Sequence, residues 1–225
     1  MKIYDKLFLD FEGLKQNGPI TIAVFGDSIT HGFFETGATD YEAVYWNVLT
    51  KKLHQIRDYV PINIINAGIG GITASASVSL FEERVLIHRP DLIIICFGLN
   101  DVCGDICSYT SSLEQIFTKC KGIDTIFMTP NMLNTYVDEN IDDALKKYAY
   151  ITKEAQCSGK MDSFIQSAIS VAEKMNVTVC DCYSIWKKMS QTTDTTALLA
   201  NKINHPCREL HNLFADELYK IICKK

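Results

Sequence analysis

The chain has 225 residues, 47% hydrophobic and 22% charged, which is enough to bury one sizeable core and too few to require two, so residues 1–225 read as one domain. A net charge of −5 with the basic residues scattered excludes the electrostatic footprint of a nucleic-acid binder. No segment approaches the roughly 18 uninterrupted apolar residues of a membrane span, and MKIYDKLFLDFEGLKQNG has no apolar stretch of secretory type, so a cytoplasmic protein with no membrane partner is expected.

In chain order, five short runs rich in β-branched residues stand out: ITIAVF (20–25), PINIIN (61–66), DLIIICF (91–97), DTIFMTP (124–130) and NVTVCD (176–181). Continuous apolar runs of this length suit strands buried on both faces of a parallel sheet. Between and after them, apolar residues at three and four spacing predict helices over 41–56, 75–87, 108–120, 161–175 and 208–223. In the last of these, Leu210, Leu213, Phe214, Leu218, Ile221 and Ile222 form one stripe. Strand and helix alternate about five times, which predicts a three-layer α/β/α sandwich around a five-stranded parallel sheet with right-handed crossovers. The polar, helix-capable stretch 131–160 follows the fourth strand and reads either as a rim or lid or as a plain surface excursion.

The nine cysteines are odd in number and sit in or beside apolar runs, as Cys96 does in LIIICFG, which favours reduced thiols. There is no CxxC, and the Cys103/Cys107 and Cys180/Cys182 spacings are weak zinc signals, so no metal is expected.

Ligands of open α/β sheets bind at strand C-termini, which singles out the loops after each run. GDSITHG (26–32) follows the first, NAGIGGITA (66–74) the second and GLND (98–101) the third, while NHP (204–206) precedes the final helix. In this order they resemble the four sequence blocks of the SGNH hydrolase superfamily, and the resemblance spans residues 20–215, nearly the whole chain. It implies a flavodoxin-like α/β/α fold and a serine esterase that needs no cofactor and acts on a small-molecule or carbohydrate ester.

The residues themselves fit that chemistry. Serine is a weak nucleophile that needs a base, a group to orient the base, and donors aimed at the developing oxyanion. Ser28 lies at a strand-to-helix turn, where the plain alternative is an N-cap serine. By resemblance His205 is its base, where a histidine before proline would otherwise be structural. Gly71 matches the glycine whose N–H faces the oxyanion, although Gly68 and Gly70 are glycine too. Asn100 matches the asparagine whose amide, with the Ser28 and Gly71 N–H groups, completes the oxyanion hole; a loop Asx-turn is its plain reading. Asp27 looks like a support for the nucleophile loop. His31 follows the serine closely and could line a pocket, and His211 is badly placed to share a metal with His205.

One position departs from the family pattern. The aspartate usually found three residues before the histidine is replaced by Lys202. Three readings follow: a Ser-His dyad oriented by Asn201 or by a backbone carbonyl, recruitment of Asp194, or a protein that has lost catalysis and only binds. The dyad is favoured, with Asn201 a possible orienter of the histidine. A flavodoxin-like phosphate binder using GDSITHG as an anion loop is disfavoured, because it gives GLND and NHP no role.

Overall fold

The computed structural model describes residues 2–224. Strands β1 (Ile20–Gly26), β2 (Ile62–Asn66), β3 (Leu92–Cys96), β4 (Asp124–Met128) and β5 (Thr178–Cys180) form one parallel sheet in the order β2-β1-β3-β4-β5. Each falls on one of the β-branched runs, with β1 running one residue further to Gly26. Ile20 pairs with Ile62, Gly26 with Cys96, Ile95 with Phe127 and Met128 with Cys180. Burial on both faces holds for β1, β3 and β4. It does not hold for β2 and β5, which have a neighbour on one side only: Asn63 and Asn66 of β2 and Thr178 of β5 are exposed.

Eleven helices complete the described residues: α1 (Lys2–Lys6), α2 (Phe11–Asn17), α3 (Ser28–His31), α4 (Tyr45–Ile56), α5 (Ala74–Ser77), α6 (Phe81–Arg84), α7 (Ile106–Lys119), α8 (Asp143–Cys157), α9 (Lys160–Lys174), α10 (Cys182–Met189) and α11 (Arg208–Cys223). Helix α4 packs on α11, while α7 packs on α5 and α9, so the sheet lies between two helical layers. The contact face of α11 carries His211, Phe214, Ala215, Leu218 and Ile222, all buried and spaced by three, one, three and four residues as a helix stripe requires. None of these helices is long and apolar enough to cross a membrane. All nine cysteines are unbridged.

Two predicted helices differ in detail. The segment before Tyr45 is a turn, because the Asp40 carboxylate accepts the N–H groups of Glu42 and Ala43 and Val44 is extended. The stretch 75–87 is not one helix: α5 and α6 are separated by a 3-10 turn at Val78–Leu80, and a second such turn, Leu86–His88, ends at Arg89 with φ of 49°, just before Pro90. A residue before proline is held away from helical geometry, which explains why the helix stops there. Helix α1, which the periodicity did not reveal, docks through buried Ile3 and Leu7 and a Lys6–Asp91 ion pair of 2.8 Å.

The strand order places the site. From β1 the chain turns toward β2, and from β3 it turns toward β4, so the C-terminal ends of these adjacent strands flank a crevice. Ser28 follows one and Asn100 the other. Ile94, fully buried at the centre of β3 between Val24 and Ile126, belongs to the wall that fixes their spacing. Replacing it with alanine is expected to cost about 2–5 kcal/mol, read as a lower chemical-denaturation midpoint with unchanged slope.

Candidate active site

The Asp27 side chain caps α3, accepting the Ile29 N–H at 3.0 Å, and Gly32 ends the helix in the left-handed region with φ of 109°. This single turn fixes Ser28 at its first position, where the residue is only 5% exposed. Among the described residues no acceptor takes up the Ser28 N–H.

His205 meets the serine from the loop before α11. Its Nε2 lies 2.9 Å from Ser28 Oγ, and its Nδ1 lies 2.8 Å from the carbonyl oxygen of Phe34. That oxygen can only accept, so Nδ1 carries the proton and Nε2 presents its lone pair to the serine hydroxyl. Burial lowers the imidazole pKa below 6.5, and the bond to Phe34 opposes this only in part. The ring is therefore neutral and basic at pH 7.

The Phe34 carbonyl occupies the place that sequence reasoning offered first to Asn201. Asn201 does not reach the ring: its Oδ1 accepts the N–H groups of Ile203, Asn204 and His205 at 2.9 to 3.0 Å, and its Nδ2 donates to Asn204 Oδ1. It shapes the backbone that carries His205. Asp194 is also engaged elsewhere, accepting from the Tyr136 hydroxyl and the Ala197 N–H. Lys202, at the position of the absent acid, has φ of 58° and donates to the Ala197 carbonyl.

The glycine loop resolves its own ambiguity. A Cβ on Gly68 would stand 2.4 Å from the His31 nitrogen, and one on Gly70 would stand 2.9 Å from the Phe33 ring, so both are glycine for close packing. Gly71 has φ of 78° and nothing within 4 Å of its Cβ position. It needs glycine for its backbone conformation and leaves the main chain open to a ligand. Its N–H has no acceptor among the described residues. Asn100 Nδ2 donates to the Ile72 carbonyl at 3.0 Å, leaving one amide hydrogen of that nitrogen over.

Ser28, Gly71, Asn100 and His205 line one cavity of about 430 Å3. Phe33, Leu145, Tyr148 and Ile203 form its apolar wall, with Thr36, Asn201 and Asn204 around it. Leu145 and Tyr148 come from α8, so the 131–160 stretch is a packed rim of the cavity. Of the tyrosines in that stretch, only Tyr148 lines the cavity; Tyr136 donates to Asp194, and Tyr150 lies in a separate depression with Val102 and Glu154. His31 stays outside it, accepting from the Gly70 N–H and packing at a tilt against the Phe33 ring. A larger cavity of about 670 Å3 lies between the ends of α7 and α9 and the starts of β4 and β5, but the pKa of its thiol, Cys120, is pushed up to about 12 by burial, and the thiol donates to the Ile116 carbonyl. Among the described residues no three His, Cys, Asp or Glu side chains converge as metal ligands.

Two carboxyls support the loops from behind. Asp27 Oδ1 holds the Ile29 N–H and Asp101 Oδ1 holds the Ala74 N–H at 2.8 Å, while the Oδ2 of each is buried without a partner. Burial raises the Asp27 pKa to about 7, with the charge of Asp101 adding to it, and raises that of Asp101 to about 6.

A parallel sheet with a serine–histidine pair at its switch point defines an α/β/α hydrolase. The family model described as the GDSL-like lipase/acylhydrolase family matches residues 24–212. The chain belongs to that family of SGNH hydrolases, and is a carboxylic ester hydrolase. It is 24% identical over 213 residues to an acetylxylan esterase of Geobacillus stearothermophilus, covering 84% of this chain and 88% of that one. The crystal structure of an acetylxylan esterase from that organism superposes with a TM-score of 0.69 at 21% identity, over 92% of this chain and 95% of the other. Catalytic mutants of that esterase replace a serine and a histidine by alanine. A lipase/acylhydrolase from Enterococcus faecalis superposes with a TM-score of 0.68 at 21% identity, over 90% and 95% of the two chains.

The raised pKa of Asp27 has a consequence for stability. A carboxyl that holds its proton more tightly folded than unfolded stabilises the fold fully below its unfolded pKa and loses that contribution as pH rises through the folded one. For Asp27 the window runs from 3.8 to about 7. The Tm is expected to carry a downward slope across it, and Asp27→Asn, which keeps the Oδ1 acceptor, should make the slope shallower. Parallel slopes in both proteins would mean the carboxyl is ionised throughout.

Proposed function

We propose that this chain hydrolyses short-chain or O-acetyl esters on a carbohydrate-like scaffold, with Ser28 as nucleophile and His205 as general base and then acid. The observation that carries this reading is the relay from Ser28 Oγ to His205 Nε2 and from His205 Nδ1 to the Phe34 carbonyl, at 2.9 and 2.8 Å.

As Ser28 Oγ attacks the ester carbonyl, its proton passes to His205 Nε2 and the carbonyl oxygen becomes an oxyanion. The unpaired N–H groups of Ser28 and Gly71 and the free amide hydrogen of Asn100 receive that charge. Each such donor is worth about 2.7–4 kcal/mol of barrier, because it is fixed before the charge develops. Collapse breaks the bond to the alcohol, which leaves with the proton from Nε2. Water then attacks the acyl-serine, gives its proton to the same nitrogen, and the carboxylic acid departs as Ser28 regains its hydrogen.

The carbonyl of Phe34 does part of the work of a triad carboxylate. Where a site is built around the acid, replacing it by the amide lowers kcat about 10⁴-fold, largely through the wrong tautomer. Here the tautomer is set correctly, and what is absent is a full negative charge facing the imidazolium. The scaffold preference is supported by the relatives, which include an acetylxylan esterase and a two-domain esterase active on acetylated mannans. An aromatic ring beside polar amides, as Tyr148 stands beside Asn100 and Asn204, suits the two faces of a sugar.

Hydrolysis of p-nitrophenyl acetate and butyrate and release of acetate from acetylated xylo-oligosaccharides test this. Ser28→Ala and His205→Ala should each reduce turnover to near background, with acetate preferred over butyrate in the wild type. The lowered pKa of His205 places the acid limb of kcat/KM below pH 6.5, so activity should persist into mildly acidic buffer. Equal background rates in all three proteins would instead identify a binding module.

A further inference from the structure

Because the group that orients His205 is a backbone atom, its placement depends on whatever holds residue 34 still. Phe34 sits in a short hairpin in which its N–H bonds to the Ala38 carbonyl at 3.0 Å, the Asp40 N–H bonds to the Gly32 carbonyl at 2.9 Å, and Phe33 bridges Thr39. The hairpin leaves the sheet directly after the nucleophile turn and carries Glu35, Thr36 and Gly37 at an exposed tip. Nothing in these local bonds aims the Phe34 carbonyl at the imidazole.

The missing constraint comes from Arg208, three residues after His205 and the first residue of α11. Its Nε donates to Asp40 Oδ2 at 2.8 Å, while Nη1 and Nη2 donate to the two Glu35 oxygens at 2.6 and 3.1 Å. The guanidinium carbon lies 4.7 Å from the centroid of the Phe34 ring. Next to that ring stands His211, one turn along α11, at 4.5 Å between centroids. His211 is fully buried, accepts the Tyr45 N–H, and is held neutral by a pKa pushed down to about 3 through burial, so it packs as an uncharged ring.

We propose that Arg208 is a positioning residue for the Ser28–His205 pair: it clamps the hairpin onto the helix that follows His205, so that the Phe34 carbonyl is aimed at Nδ1. This rests on the esterase reading above. Arg208 does not line the cavity, so it has no direct route to the substrate. The Arg208 and Glu35 side chains are 40% and 49% exposed, and ion pairs this solvated add little to stability. Their value lies in geometry: the fork grips Glu35 and Asp40, one residue and six residues beyond the carbonyl, and the guanidinium lies over the Phe34 ring. Lysine can supply the charge but neither the fork nor the plane. With the clamp in place both ends of the Nδ1 hydrogen bond are fixed, the imidazole end through Asn201 and the carbonyl end through Arg208.

The test compares wild type, Arg208→Ala, Arg208→Lys and the double variant Glu35→Gln with Asp40→Asn, using p-nitrophenyl acetate kinetics and the imidazole 15N spectrum of His205. The expected result is a fall in kcat on the order of ten- to a hundred-fold with KM little changed, as for a small misplacement of a reacting group. The population of the Nδ1–H tautomer should fall in the same variants, thermal stability should change little, and lysine should recover little of kcat. Wild-type kcat and tautomer in Arg208→Ala, or full recovery of kcat by lysine, would overturn the clamp. If Arg208→Ala does not fold, the double variant decides by the same readouts. A wild type no faster than Ser28→Ala would defeat the esterase reading instead, and the tautomer population would still decide whether Arg208 positions the ring.

Discussion

The hydrogen bond from His205 Nδ1 to the Phe34 carbonyl joins positions 171 residues apart, and the chemistry of the cleft depends on it. It determines which nitrogen of the imidazole is basic, and hence which way the Ser28 hydroxyl points its proton. A backbone oxygen has fixed polarity and cannot be protonated in ordinary solution, so the tautomer it imposes on the neutral ring does not change with pH. A carboxylate would add a charge that strengthens as the imidazolium forms, which a carbonyl dipole cannot match. Compared with a carboxylate, the carbonyl lacks a full charge but is an orienter that does not titrate.

Everything else in the cleft is referred to the sheet. The nucleophile turn and the Asn100 turn leave adjacent strands whose spacing is fixed by paired, fully buried residues, and the glycine loop leaves the strand on the other side of β1. Parallel pairing thus sets the loops that carry Ser28, Gly71 and Asn100 on a common edge. His205 arrives from outside that frame, which explains the extra ties around it: three backbone N–H groups gathered by Asn201, and the hairpin gripped by Arg208.

How much of this can be read in the sequence follows from where the information resides. The strands are legible because a buried parallel sheet selects β-branched runs, and α11 because one face must repeat every three to four residues. Ser28 and His205 are legible as candidates because their side-chain types and their places in the chain order are distinctive. The helix predicted over 75–87 breaks at a point that apolar spacing alone does not mark. Helices α1 and α10, of five and eight residues, are too short to show a period. The orienter is illegible for a deeper reason: every residue has a carbonyl, so no side-chain pattern announces the one that is used. Arg208 carried a partial signal, since a basic residue just after NHP is at odds with the preference of helix N-termini for acids, and its acidic partners lie far away at 35 and 40.

A contact to the imidazole made by the main chain also changes what selection can act on. No substitution at residue 34 removes the peptide oxygen, proline included; a substitution alters only the ring that fixes its direction. The position can therefore drift in amino-acid identity as long as something of similar bulk fills the space beside Arg208 and His211. The information that orients the ring thus resides not in one ionisable side chain but in the shape of a hairpin, where it is spread across several residues and no single letter records it.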